Sequence, residues 1–230
     1  MNSRFFTLLV LVLLSLTTSA QVQFALFGGG QTTSARYLVK GIKQPTQFKY
    51  GTMGGVAVKV EFDNQLYFFP AIFYSLKGYK VTLNNSAFPP TELAKNNDLW
   101  VHTIEAAPLF HFDFNKKAAH LFVRFGPSVD YGYYGNEIFD TVSGPGTGGR
   151  VYRRMRFDFT EYGHFTAQAN LHFGYETGKG LMAFAFYQRG FGSMNNHDGG
   201  PKIFHRILGV SVGWLFGRNP LLAHTKPIKN

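Results

Sequence analysis

Large apolar side chains recur at every second position of this chain, over segments longer than an ordinary strand. In LGVSVGWLFG, Leu208, Val210, Val212, Trp214 and Phe216 stand on one face, with Gly209, Ser211 and Gly213 between them. A period of two is the signature of a strand with one greasy side. The pattern predicts eight strands, over residues 22–30, 49–62, 66–79, 99–114, 119–134, 157–176, 180–188 and 204–216. The connections alternate long and short: 31–48, 63–65, 80–98, 115–118, 135–156, 177–179, then a long one around 192–203. That rhythm belongs to an up-and-down antiparallel barrel whose long loops share one end, with both termini at the short-turn end.

Three features turn the greasy face outward, toward lipid. The apolar rows match the roughly 9–11 residues a tilted strand needs to cross a bilayer. In the fourth segment Ile104, Ala106, Pro108, Phe110, Phe112 and Phe114 oppose Thr103, Glu105, His111 and Asp113. The fifth sets Leu121, Val123, Phe125, Val129, Tyr131 and Tyr133 against Arg124, Ser128 and Asp130. Aromatics gather at the ends of these rows as two interfacial belts. Trp100, Tyr74, Tyr79, Tyr131 and Tyr133 fall toward the long loops; Phe62, Phe114, Phe173, Tyr175, Trp214 and Phe216 fall toward the short turns. The opposite face mixes both charge signs with small residues, which suits a narrow lumen. Lys59, Glu61, Glu105, Arg124 and Asp130 are expected there as a paired interior network, because an unpaired buried charge is costly. The seventh segment gives no orientation, since Met182, Phe184 and Phe186 compete with Leu181, Ala183 and Tyr187. A soluble ligand-carrying barrel would need an apolar cavity where Arg124, Glu105 and Lys59 stand.

The start of the chain, MNSRFFTLLVLVLLSLTTSA, reads as a secretory signal peptide: Arg4, an apolar run, and small residues before a cleavage expected after Ala20. The barrel then occupies residues 21–217, and 218–230 form a C-terminal periplasmic tail. With no cysteine there is neither a disulfide framework nor a lipoprotein anchor. A net charge of +10 on an exported chain points to anionic lipid and lipopolysaccharide rather than nucleic acid, with other envelope proteins as further partners.

Four stretches carry a family resemblance: FYSLKGYK (73–80), IEAAPLFHF (104–112), FVRFGPSVDYGYYG (122–135) and the closing LGVSVGWLFG. Together, and in this order, they resemble the PorT-like family of outer-membrane β-barrels of Gram-negative bacteria. The resemblance implies an integral outer-membrane barrel of about eight strands, without enzymatic activity or cofactor. It also implies a kinship with the type IX secretion and gliding machinery.

Several patterns suggest chemistry. GPGTGG (144–149) fits a phosphate-cradling glycine motif, but RVYRRMRF follows it with no helical period, so a loop is expected. Arg150, Arg153, Arg154 and Arg156 surround Tyr152 and suit lipopolysaccharide phosphates at the external end. His111 and Asp113 have the spacing of an acid–base pair, yet lie near the short turn and face a narrow lumen, where a structural pair is expected. His164 and His172 are about 26 Å apart along one strand, too far to share a metal. No catalytic, cofactor or metal-ligand set emerges. The expectation is a non-enzymatic outer-membrane barrel without an open pore, working through its external loops or partner contacts. The alternatives are a role in a type IX-like machinery, or a lipid hydrolase or acyltransferase drawing on His102 and Asp130.

Overall fold

The computed structural model describes residues 22–84, 94–142 and 149–217. The signal-peptide and tail segments, and residues 144–148 of the glycine motif, lie outside them. The strands are β1 (Gln23–Val39), β2 (Ile42–Lys43), β3 (Thr46–Gln47), β4 (Lys49–Asp63), β5 (Leu66–Thr82), β6 (Asn96–Asp113), β7 (His120–Asp140), β8 (Arg150–Arg154), β9 (Phe165–Glu176), β10 (Leu181–Gly190) and β11 (Lys202–Phe216). Eight long strands run antiparallel in the order β11-β10-β9-β7-β6-β5-β4-β1, and β1 pairs with β11 to close the ring. The seam zips from Phe24↔Phe216 to Leu38↔Lys202. Closure leaves no open edge among the eight long strands, the condition for sheet structure in lipid.

Alternation along each strand sets the two surfaces. Phe24, Leu26, Val56, Ile72, Ile104, Phe125, Leu171, Val210 and Val212 are exposed on the outer wall, and Phe27, Phe69, Phe73, Leu109, Phe122 and Phe186 are buried in the lumen. In β10 the undecided choice resolves: Met182, Phe184 and Phe186 point inward, and Leu181 and Tyr187 outward. Met182 and Phe184 serve Arg124, whose Nη2 donates to Met182 Sδ at 3.1 Å and whose guanidinium lies 5.2 Å from the Phe184 ring centroid, while Phe186 packs on His172.

The tight turns sit at the terminal end of the barrel. Asn64, with φ 46°, links β4 to β5, and Gly180, with φ 90°, closes the β9–β10 turn; both residue types tolerate the left-handed region. At the other end, much of what the sequence assigns to long loops is strand. β1 runs on to Val39, and β7 spans 21 residues, its upper part paired with the short β8. Both exceed a bilayer crossing, so the wall projects beyond the lipid, where its outer residues turn polar and the greasy alternation fades. Residues 157–164, expected as strand, form a turn: the Asp158 carboxylate accepts from Thr160 N at 2.7 Å, Thr160 Oγ1 at 2.8 Å and Glu161 N at 2.8 Å. This Asx-type closure competes with pairing.

One irregularity marks the wall. Above Met53↔Ser75 β4 leaves β5, and β3 resumes the pairing at Thr46↔Val81. Side chains of β1 bridge the gap: Gln31 Nε2 donates to Leu76 O at 2.9 Å, and Thr33 Oγ1 donates to Gly78 O at 2.7 Å.

The seam depends on Gly29, where a Cβ would stand 2.0 Å from Val210 O and 2.7 Å from Ser211 Cα. Gly30 beside it has nothing within 4 Å of that position. Gly29→Val is therefore expected to abolish the compact, heat-modifiable form on unheated denaturing gels, whereas Gly30→Val keeps it. Equal behaviour of the two would contradict this seam.

Candidate functional site

The lumen holds two buried polar networks with aromatic packing around and between them. In the middle, Lys77 reaches inward from β5, fully buried, and donates to Glu105 Oε2 at 3.0 Å and Asp130 Oδ2 at 2.7 Å. Asp130 also accepts from Thr166 at 2.7 Å and Gln168 at 3.0 Å, and Glu105 accepts from Ser128 and Gln188. Every carboxylate of this network thus has an ammonium and neutral donors, which a buried charge requires. Lys77 is not among the residues singled out from the sequence. Its signal is parity: Phe73, Ser75, Lys77 and Tyr79 share the inward face of β5.

The second network closes the short-turn end. Lys59 Nζ donates to Asp113 Oδ2 at 3.0 Å and Glu176 Oε2 at 3.3 Å. His111 Nε2 lies 2.5 Å and His120 Nε2 2.9 Å from Asp113 Oδ1. Arg124 Nε donates to His111 Nδ1 at 2.7 Å, so that ring carries its proton on Nε2 and gives it to Asp113. The Arg124 guanidinium lies 3.8 Å from the Phe69 ring centroid and 4.2 Å from that of Phe122, faces that favour a desolvated cation. One donor atom each from His111, Asp113, His120 and Glu176 falls within 4.8 Å of the others, a grouping of metal-ligating types. Here Lys59 already bridges both carboxylates, and Arg124 commits His111 to the protonated Nε2, so the donor set is occupied by protons and an ammonium.

The residues singled out by the alternation divide according to their surroundings. Lys59, Glu105, Arg124 and Asp130 lie in the lumen, but Glu61 is exposed. Glu61 keeps the register of Lys59, paired with Tyr67, but stands at the end of β4 beside the turn, where Glu61, Phe62 and Asp63 are all exposed. His102 and Asp130 lie on opposite faces of the wall: His102 bonds Tyr74 Oη at 2.7 Å on the outside, and Asp130 faces inward. His164 stacks on Phe157 and Tyr131, whereas His172 stacks on Phe184 in the lumen. Of the belt aromatics, Tyr131, Tyr133, Trp214 and Phe216 are exposed on the outer wall, and Trp100 lies there beneath Lys49, 3.8 Å from its ring centroid. Tyr79 belongs inside, fully buried against Tyr37 at 6.0 Å between ring centroids.

Two external segments fold over the mouth. Tyr162, fully buried, donates to Glu137 Oε2 at 2.7 Å and accepts from Asn97 Nδ2 at 3.0 Å. Burial, with Tyr79 and Glu137 nearby, raises the Tyr162 phenol well above its ordinary pKa, so it stays a donor. Arg153 bonds Glu137 Oε1 at 2.5 Å and Glu161 Oε2 at 2.8 Å. Burial pushes the Glu161 carboxyl up, against the pull of Arg153. Met194 packs under this cap with Met155 and Tyr162, and Gly163 N donates to Met194 O at 2.7 Å. Arg153 is thereby part of the cap, while Arg150, Arg154 and Arg156 remain exposed. Arg154 lies over Tyr134 and Arg150 over Tyr152, at 5.3 and 5.7 Å from the ring centroids.

A closed antiparallel ring, greasy outside and filled inside, defines a membrane-spanning β-barrel. The family model of the outer membrane protein beta-barrel domain matches residues 18–196, and the chain belongs to that family of outer-membrane barrels. No curated protein sequence matches it. Solved structures similar to it include Ail, the attachment invasion locus protein of Yersinia pestis, in complex with the heparin analogue sucrose octasulfate. That pair shares 12% identity over 84% of this chain and 99% of the other, with a TM-score of 0.41. OprG of Pseudomonas aeruginosa is 12% identical over 84% of this chain and 95% of its own, with a TM-score of 0.40. The Neisserial surface protein A is 11% identical over 83% and 97%, with a TM-score of 0.39.

Removing Lys77 alone leaves Glu105 and Asp130 buried without their cation. Lys77→Met is expected to lower unfolding stability by about 3–5 kcal/mol, read as a fall in the urea midpoint of the folded barrel. The triple variant Lys77→Met, Glu105→Gln, Asp130→Asn should recover most of that loss, because no buried charge remains.

Proposed function

We propose that this protein is a non-enzymatic outer-membrane barrel with a closed lumen, which works through its external end and outer wall. The observation that carries the reading is the filling of the lumen from end to end. Lys59 with Asp113 and Glu176, the aromatic layer around Arg124, the Lys77 network and the Tyr162 cap follow one another along the axis. Rotating these groups aside to pass a solute means separating buried ion pairs, at a cost of several kcal/mol each. Export through the signal peptide at residues 1–20, with cleavage after Ala20, belongs to the same proposal.

At the external end, Arg150, Tyr152 and Arg154 share the outer face of β8, and Arg156 follows them, all exposed. We assign these three arginines, without Arg153, to contacts with lipopolysaccharide phosphates. The finer placing among PorT-like barrels rests on the four stretches that carry that resemblance. On it, the external end or the turns would meet a secretion or gliding assembly.

In planar bilayers the folded barrel is expected to give no discrete single-channel openings; steady ohmic steps would refute the closed-lumen reading. Replacing Arg150, Arg154 and Arg156 together by Gln should weaken binding to phosphorylated lipopolysaccharide by roughly tenfold or more. Unchanged affinity would remove this ribbon from the lipid contact.

A further inference from the structure

A second arginine cluster lies on the outer wall, on strands away from β8. Arg36 of β1, Arg206 of β11 and Arg189 of β10 line one cleft of about 210 Å³, framed by Phe191 and Phe204. The register fixes their proximity: Arg189 stands directly opposite Arg206, and Arg36 directly opposite Phe204. Like charges opposed on one sheet face repel, and among the described residues none of the three has a carboxylate partner. Nor do they reach into the lumen, since Arg36 and Arg189 are exposed. Three guanidiniums held together without an anion form a phosphate-binding arrangement in need of its phosphate.

The wall below them has a matching shape. Tyr187↔Leu208↔Thr32 forms the next outward rung, and beneath it lie Ala185↔Val210↔Gly30, then Ala183↔Val212↔Gly28. Val210 and Val212 therefore make a ridge, with a trough floored by glycines on one side and by alanines on the other. Two concavities of about 590 and 560 Å³ follow these rungs, sharing Gly30, Ala185 and Val210 in their linings. The first includes Leu208, two residues along β11 from Arg206, and the second reaches Tyr175 near the short-turn end. Apolar troughs thus start beneath a cationic cleft on the same three strands.

We propose that this face is a binding site for a phosphorylated glycolipid with several acyl chains, of the lipopolysaccharide class in the outer leaflet. The arginines take its phosphate groups, and acyl chains lie on either side of the Val210–Val212 ridge. Charge complementarity selects this occupant. Three cations exceed the single charge of a phosphodiester headgroup and suit a head bearing phosphomonoesters of about −1.5 to −2 each. A second copy of this chain would bring the same three arginines against them. The site rests on the outer-membrane reading above and is independent of the β8 ribbon.

The test uses the full folded barrel in detergent, titrated with diphosphorylated lipid A, its dephosphorylated form, phosphatidylglycerol and inorganic phosphate. Diphosphorylated lipid A should bind most tightly. Arg36→Gln, Arg189→Gln and Arg206→Gln together should weaken it by roughly a hundredfold. The pair Gly30→Leu and Ala185→Leu fills the troughs and keeps the arginines; it should weaken lipid A while leaving inorganic phosphate unchanged. Gly30 accepts a side chain, having nothing within 4 Å of its Cβ position. Heat-modifiable migration is read for each variant, and the corresponding Ala replacements serve where a Gln variant fails to fold. Unchanged lipid A affinity in a folded triple variant overturns the site. So does phosphatidylglycerol binding as well as lipid A, or a loss of dimer in place of lipid. Absence of heat-modifiable migration in the parent protein would count against the barrel itself.

Discussion

Closure of the backbone ladder between β1 and β11 is the constraint from which the rest follows. Hydrocarbon offers no hydrogen-bond partner, so an open edge in the membrane is untenable. Once the ring closes on eight long strands, the period of two sends every second side chain inward, where facing side chains pack against one another. Glycines enter where strands approach most closely, and Gly29 against Val210 O is the tightest case at the seam. The outer rows then need only be apolar, which is why Val210, Leu171 and Ile104 are exposed without cost.

A narrow lumen makes inward charge a matter of pairing. Lys77 and Lys59 each serve two carboxylates, one pair in the middle of the barrel and one at its short-turn end. Lys59 on β4 reaches across the ring to Glu176 on β9, and Lys77 on β5 ties the neighbouring β6 and β7, with Gln188 of β10 joining that network at Glu105. Such cross-lumen ties hold the cross-section in one shape, a task that aromatic packing alone performs less specifically.

The period of two made the ring, its seam and most inward positions legible. It worked where the two faces differ in polarity, as in Ile104–Phe114 against Glu105–Asp113. It failed in β10, whose residues 181–187 are apolar on both faces; the inward set is the one packed by tertiary partners, Met182 and Phe184 on Arg124 and Phe186 on His172. Glu61 shares the parity of Lys59, yet it stands at the exposed end of β4 beside the turn, past the end of the lumen. The projecting walls of β1 and β7 were hidden because the outer partner residues above the membrane are polar. Of the metal-like grouping near the short turns only the His111–Asp113 pair of β6 could be read, since His120 and Glu176 come from β7 and β9.

Arginine shows how much the surroundings decide. Arg124 is buried among aromatic rings and passes its hydrogen bond through His111 to Asp113. Arg153 sits at the mouth between Glu137 and Glu161, and so belongs to the cap although the sequence groups it with Arg150, Arg154 and Arg156. Among the described residues, Arg36, Arg189 and Arg206 face outward with no acid paired to them and an apolar wall beneath. A cation with a protein anion stabilises the protein; a cation gathered with others of its kind stabilises it only when something else supplies the anion. The first two settings complete the fold from within, and the third leaves the outer wall unsatisfied until the membrane around it contributes.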